Sequence, residues 1–205
     1  VAGETSHYYR NLAWASATFA FLTDLALIGF GGMLKRREKI AGRFADVLSW
    51  MYLGTATLRR FEAEGCQAED LPFVHWVMQY AFAQIQEAFA GILSNMPIPL
   101  LGGLLRGAIA WWWRLNPIGT MPSDRLGSEI ARSMINPGVQ RDRLTADIYI
   151  PAYDSLDTDE ALGRLERAFL LSAQAELILQ KIKAASRAGQ LPDRKPEQLI
   201  EAALA

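Results

Sequence analysis

The chain has 205 residues, 51% of them apolar and 21% charged, with a net charge of −1. That is enough apolar material for a full core, roughly 70% of the unfolded surface at this size, and too little net charge for a disordered segment. The near-neutral balance excludes the basic excess of a nucleic-acid binder, and the single cysteine, Cys66, excludes an internal disulfide.

The chain starts at Val1 with neither a methionine nor a basic-then-apolar leader, and it is expected to be a piece of a longer protein. No period of 20 to 50 residues repeats. Helical spacing runs throughout. Leu12, Ala15, Phe19, Leu22 and Ala26 step by three or four residues and predict a helix from about Tyr8 into Gly29-Phe30-Gly31-Gly32, where glycine ends it. Ile40, Phe44, Val47, Met51 and Leu58 predict a second, from near Leu34 to Glu64. Val74, Val77, Ala81, Ile85 and Phe89 predict a third, opening at Asp70-Leu71-Pro72 and ending near Asn95. A short apolar helix follows over Leu100 to Arg114. Pro122-Ser123-Asp124 caps another, to about Ile135, and Pro137 to Thr145 holds a turn or two. The capping-box pattern at Asp157-Thr158-Asp159-Glu160 opens a last long helix, whose stripe is Leu162, Leu165, Phe169, Ser172, Leu179 and Ile182. A tail helix spans Pro196 to Leu204. The best strand candidate, Ile148-Tyr149-Ile150, is three residues long and stops at Pro151. The expected fold is all-α: a bundle of long antiparallel helices, a short Trp-rich helix and shorter C-terminal helices. It forms one domain over 1–205, with a subdivision between 1–95 and 96–205.

The first helix is long enough to cross a bilayer from Leu12 to Met33, but Asp24 stands at its middle. A central carboxylate costs ~3 kcal/mol in lipid. The expectation is a buried soluble helix whose Asp24 pairs with Arg36 or Arg43.

Ala88 to Ser123 contains no Asp, Glu or Lys in 36 residues, where the overall 21% predicts seven or eight charges. Arg106 and Arg114 are its only ones. Leu101, Leu104, Leu105, Ala108, Ile109 and Trp112 make a wide apolar face, and Trp111, Trp112 and Trp113 stand together before Arg114. Two readings stay open. The window is the core or a subunit interface; or it lies in a membrane surface, with tryptophan at headgroup level and arginine snorkelling. It is too short to cross, since ~15 residues rise ~22 Å against ~30 Å of hydrocarbon.

Catalytic groups are sparse. His7 and His75 lack metal-ligand spacing, and His75 beside Trp76 reads as a packing residue. Ser123-Asp124 reads as a helix cap. Gly29-Phe30-Gly31-Gly32 lacks dinucleotide-loop spacing and follows a helix. Lys35-Arg36-Arg37-Glu38-Lys39 reads as a solvated face, with contact to a phosphate or acidic partner as the alternative. Glu62 with Glu64, and Asp157 with Asp159, are ordinary surface acids. No residue is assigned to catalysis, cofactor or metal.

Several blocks resemble one family. They are Gly31-Gly32-Met33-Leu34-Lys35-Arg36-Arg37-Glu38-Lys39-Ile40, Gly42-Arg43-Phe44-Ala45-Asp46-Val47-Leu48-Ser49, Leu58-Arg59-Arg60-Phe61-Glu62 and Glu69-Asp70-Leu71-Pro72-Phe73-Val74-His75-Trp76. Pro122-Ser123-Asp124-Arg125-Leu126, Arg141-Asp142-Arg143-Leu144-Thr145 and Leu191-Pro192 continue the pattern. In this order they resemble the C-terminal region of bacterial acyl-CoA dehydrogenases of the FadE type, from about Tyr8 to Leu204. The resemblance implies an enzyme of fatty-acid β-oxidation in which a glutamate removes the α-proton of a fatty acyl-CoA and FAD accepts the β-hydride. Both groups belong to a core that precedes this region, so the implied role here is an accessory helical domain packed on that core. It further implies cytoplasmic placement, peripheral on the inner membrane, or dimer assembly. The attachment surface would then be Leu101, Leu104, Leu105, Arg106, Ile109, Trp111, Trp112, Trp113 and Arg114. The competing reading is a free-standing helical interaction protein that dimerises through the same window.

Overall fold

The computed structural model describes residues 3–96, 107, 111, 113, 115–149 and 160–191. Every regular element among them is helical, as the apolar spacing predicts. They divide into two compact units, Val1–Ser128 and Glu129–Ala205.

Three long helices build the first unit: α1 (Ser6–Phe30), α2 (Glu38–Ala63) and α3 (Leu71–Asn95). α1 stops at the glycine run, where Gly31 takes a φ of 53° and donates its N–H to the Leu27 carbonyl. α2 does not begin at Leu34 as its apolar stripe predicts. Gly31–Arg36 winds as a 3₁₀ segment and the chain breaks at Arg37, so the α-helix opens at Glu38. A second 3₁₀ turn, Ala68–Asp70, leads into α3, whose Pro72 sits in the first turn where a missing N–H costs nothing.

Short connections make neighbouring helices antiparallel, and the cross-helix contacts follow that register. Tyr9 near the start of α1 donates to Glu62 near the end of α2 at 2.8 Å. Further along, the rings of Phe19 and Phe44 meet edge to face at 5.7 Å. Between α2 and α3, Trp50 meets Tyr80 at 5.2 Å, and a Cβ added to Gly54 would stand 3.3 Å from Met78 Cε. Eight residues of α3 are buried against five each on α1 and α2, so α3 contributes most to the core, while α2 is the helix that packs on both others. Met78, Phe82, Ile85, Phe89 and Ile92 of α3 meet Leu12, Ala15, Leu22 and Ala26 from α1 and Val47 and Leu58 from α2. Each large side chain so buried contributes ~1.5–3 kcal/mol.

α1 departs from the expected buried helix. Among the described residues its neighbours cover one side only, and just 11% of its most apolar window is buried. Asp24 lies on the open side, exposed, and forms no ion pair with Arg36 or Arg43. Arg43 instead lies across Gly91 of α3.

Gly107, Trp111, Trp113 and Leu115 are helical. The boundary between the units falls inside α4 (Asp124–Ile135), whose start is capped as expected: Ser123 Oγ accepts from the Leu126 N–H at 3.3 Å. In the second unit α5 (Val139–Leu144) is tied to α6 (Ala161–Arg187) by Arg141, whose Nη2 reaches both oxygens of Glu166 at 2.6 Å. The same guanidinium lies 5.4 Å over the Phe169 ring. Leu162 and Leu165 are exposed. Ile148 and Tyr149 form no strand. Ile150, most of the Leu100–Arg114 helix, Asp157-Thr158-Asp159 and the tail helix lie outside the described residues.

Candidate functional site

The open side of α1 is apolar. Trp14, Phe21 and Ile28 recur every seven residues, two helical turns apart, and so share one face. Phe21 is 62% exposed and Ile28 75%. Asp24 stands between them, one turn from each. Exposed apolar surface of this extent on one helix marks a contact with something else.

Trp14, Ala17, Phe21, Leu22, Leu93 and Trp113 line a groove of about 470 Å³ beside that face. Trp113 is its inner wall. It is 7% exposed, stacks on Trp14 at 5.3 Å and meets Phe89 edge to face at 5.5 Å. Gln86 of α3 fixes the backbone here. Its amide nitrogen donates to the Trp113 carbonyl at 3.1 Å, and its amide oxygen accepts from the Ile118 N–H at 3.1 Å. The next residue, Gly119, lies against the α3 backbone at Phe82, where a side chain has no room.

Of the residues singled out in the charge-poor window, Trp111 is 67% exposed and Trp113 is buried, so adjacent parts of the tryptophan run face different ways. Leu101, Leu104, Leu105, Arg106, Ile109, Trp112 and Arg114 lie outside the described residues. Sequence reasoning missed the open face of α1 and the Gln86 clamp. The seven-residue recurrence of Trp14, Phe21 and Ile28 carries the first; no local signal carries the second.

A different chemistry sits where α1 turns into α2. Phe30, Arg36, Arg37, Lys39, Arg43 and Asn95 line a cleft of about 490 Å³ in which Glu38 is the one acid among the described residues. The Arg37 guanidinium lies 5.7 Å over the Phe30 ring. Among the described residues, none of Lys35, Arg36, Arg37 or Lys39 is ion-paired with a carboxylate.

His75 is a packing residue, as its neighbours predict: its Nδ1 shares a 2.7 Å hydrogen bond with the Tyr8 hydroxyl. Burial pushes the Tyr8 phenol up. No group of three metal-ligating side chains occurs among the described residues. The glycine run at 29–32 terminates a helix, with open space around Gly31 and Gly32 and no strand before it, so it is not a cradle for a pyrophosphate.

Among known families, the model for the C-terminal region of bacterial-type acyl-CoA dehydrogenases matches residues 1–205. No solved structure matches the chain.

Proposed function

The chain belongs to the family of bacterial-type acyl-CoA dehydrogenase C-terminal domains, and from that premise we propose that it is an accessory helical domain that docks on the enzyme's catalytic core. The family is one of oxidoreductases. In this reading FAD and fatty acyl-CoA are bound by the core, and this domain contributes packing surface. The observation that carries the reading is the open face of α1, where Trp14 and Phe21 are exposed and Asp24, exposed and in no ion pair among the described residues, follows one turn on. Apolar side chains interrupted by one carboxylate suit a protein partner with a matching cation.

In the full-length enzyme, Phe21→Lys should loosen that contact, seen as a lowered melting temperature and faster proteolysis between core and domain, with the helical content kept. An enzyme unchanged in both would remove α1 from the interface. A native polypeptide of about this chain's own size, colourless and dimeric, would overturn the reading and leave a free-standing interaction protein.

A second reading is favoured by a separate observation. Ser6–Arg36 is long and apolar enough to cross a membrane, yet it is largely uncovered and ends on cations. With Asp24 midway, a span is costly, so the reading is cytoplasmic placement with peripheral attachment to the inner membrane. Sedimentation of the full-length enzyme with cell membranes tests it; recovery entirely in the soluble fraction at low salt would end it.

A further inference from the structure

The corner between α1 and α2 joins exposed apolar side chains to unpaired cations. Leu27, Ile28 and Met33 are all at least half exposed. Lys35, Arg36, Arg37 and Lys39 follow at once, also exposed. In a 3₁₀ segment residues three apart eclipse, so Met33 and Arg36 project from the same side. The chain's net charge is −1, so this excess is local.

We propose that this corner seats the phosphate headgroups of an anionic bilayer, with Leu27, Ile28 and Met33 dipping just beneath them. The proposal rests on the reading of peripheral attachment and gives it a place. Long cationic side chains lay their stems along apolar surface and keep their charge at the headgroups. A free phosphate or an acidic strand needs the cations but has no use for Ile28 and Met33. Asp24 sets the depth. It stands one turn, ~6 Å, before Ile28 on the same face, so deeper insertion would strip water from a carboxylate. α3 ends at Asn95 on the same cleft, already inside the window that lacks acids.

The test is flotation of the full-length enzyme with vesicles of phosphatidylcholine alone and with added phosphatidylglycerol. The expected result is binding to the anionic vesicles that falls at high salt. Two variants, Lys35→Gln/Arg36→Gln/Arg37→Gln and Ile28→Ser/Met33→Ser, should each weaken it by at least about tenfold. All five side chains are exposed, so helical content by circular dichroism should hold, and the salt response of the unaltered enzyme needs no variant. Binding that survives in both variants would place attachment elsewhere and overturn this proposal alone. No flotation with either vesicle would overturn the membrane reading with it. Loss in the glutamine variant only would leave Ile28 and Met33 out of the contact and overturn the seating proposed for them beneath the headgroups. Displacement by inorganic phosphate beyond that by chloride of equal ionic strength would make the corner a free-phosphate site and overturn the bilayer assignment.

Discussion

Trp14 and Trp113 stack at 5.3 Å, joining the first helix to residues far along the chain. The contact closes one side of the bundle, because Trp113 also meets Phe89 of α3 at 5.5 Å. Trp113→Ala should therefore cost ~3–5 kcal/mol, as for other large aromatics emptied from a core. Trp111, mostly exposed, should change stability by no more than ~0.5 kcal/mol when replaced by alanine. Urea midpoints of the two variants measure the difference, and equal midpoints would contradict the assignment of Trp113 to the core.

Gly119→Ala should destabilise the same region. The added Cβ would lie 2.9 Å from the Phe82 carbonyl carbon and nearer still to its Cβ, and a helix backbone cannot yield as a flexible side chain can. Overpacking of this kind costs ~1–3 kcal/mol. Hydrogen exchange at the Ile118 N–H, which Gln86 accepts, is the direct readout: it should accelerate in the variant.

Tyr9 predicts an alkaline weakness. Burial, then the hydrogen bond to Glu62 and the nearby carboxylate charge, push its phenol up to about 12 from the ordinary 10.0. An unfolded chain loses this proton first as pH rises past 10, so the stabilisation is complete below that value and gone once pH passes about 12. Tyr9→Phe should flatten the fall of the urea midpoint over this window, leaving the part due to Tyr8, whose phenol is also raised. An unchanged slope would show that the Tyr9 proton is not linked to folding.

In the second unit Arg141→Gln should loosen α5 from α6. Arg141 and Glu166 are 13% and 14% exposed, so removing the cation strands a carboxylate in little water. The cost should be about 2–3 kcal/mol, near the lower end for a broken buried pair because both groups still touch solvent. Faster amide exchange over 139–144 and at the start of α6 would register it, and protection equal to the parent would assign the contact no role in holding these helices.

The buried stripes of α1, α2 and α3 were legible because a three-and-four recurrence depends only on neighbours along the chain. Ser123 was legible for the same reason, since a cap is a local device. Asp24 was not. An acid amid apolar residues looks buried, and only the number of helices packed around α1 reveals that one side is open. α6 shows the converse: Leu162 and Leu165 keep the helical spacing without being covered. Gln86 joins residues 27 and 32 positions away through one amide, a relation no window of sequence displays.

The antiparallel order also sorts charge by end. Lys35, Arg36, Arg37 and Lys39 gather where α1 meets α2; Glu62, Glu64, Glu69 and Asp70 gather where α2 meets α3, offset there by Arg59 and Arg60. Helices of this length hold the two groups ~37 Å apart. Among the described residues of the first unit this sorting favours a basic-end-first approach to a negatively charged surface. Salt shortens the reach of that attraction to ~10 Å or less at ordinary ionic strength, so the pose is chosen in the final approach, while the domain is still separated from the surface by a few layers of water.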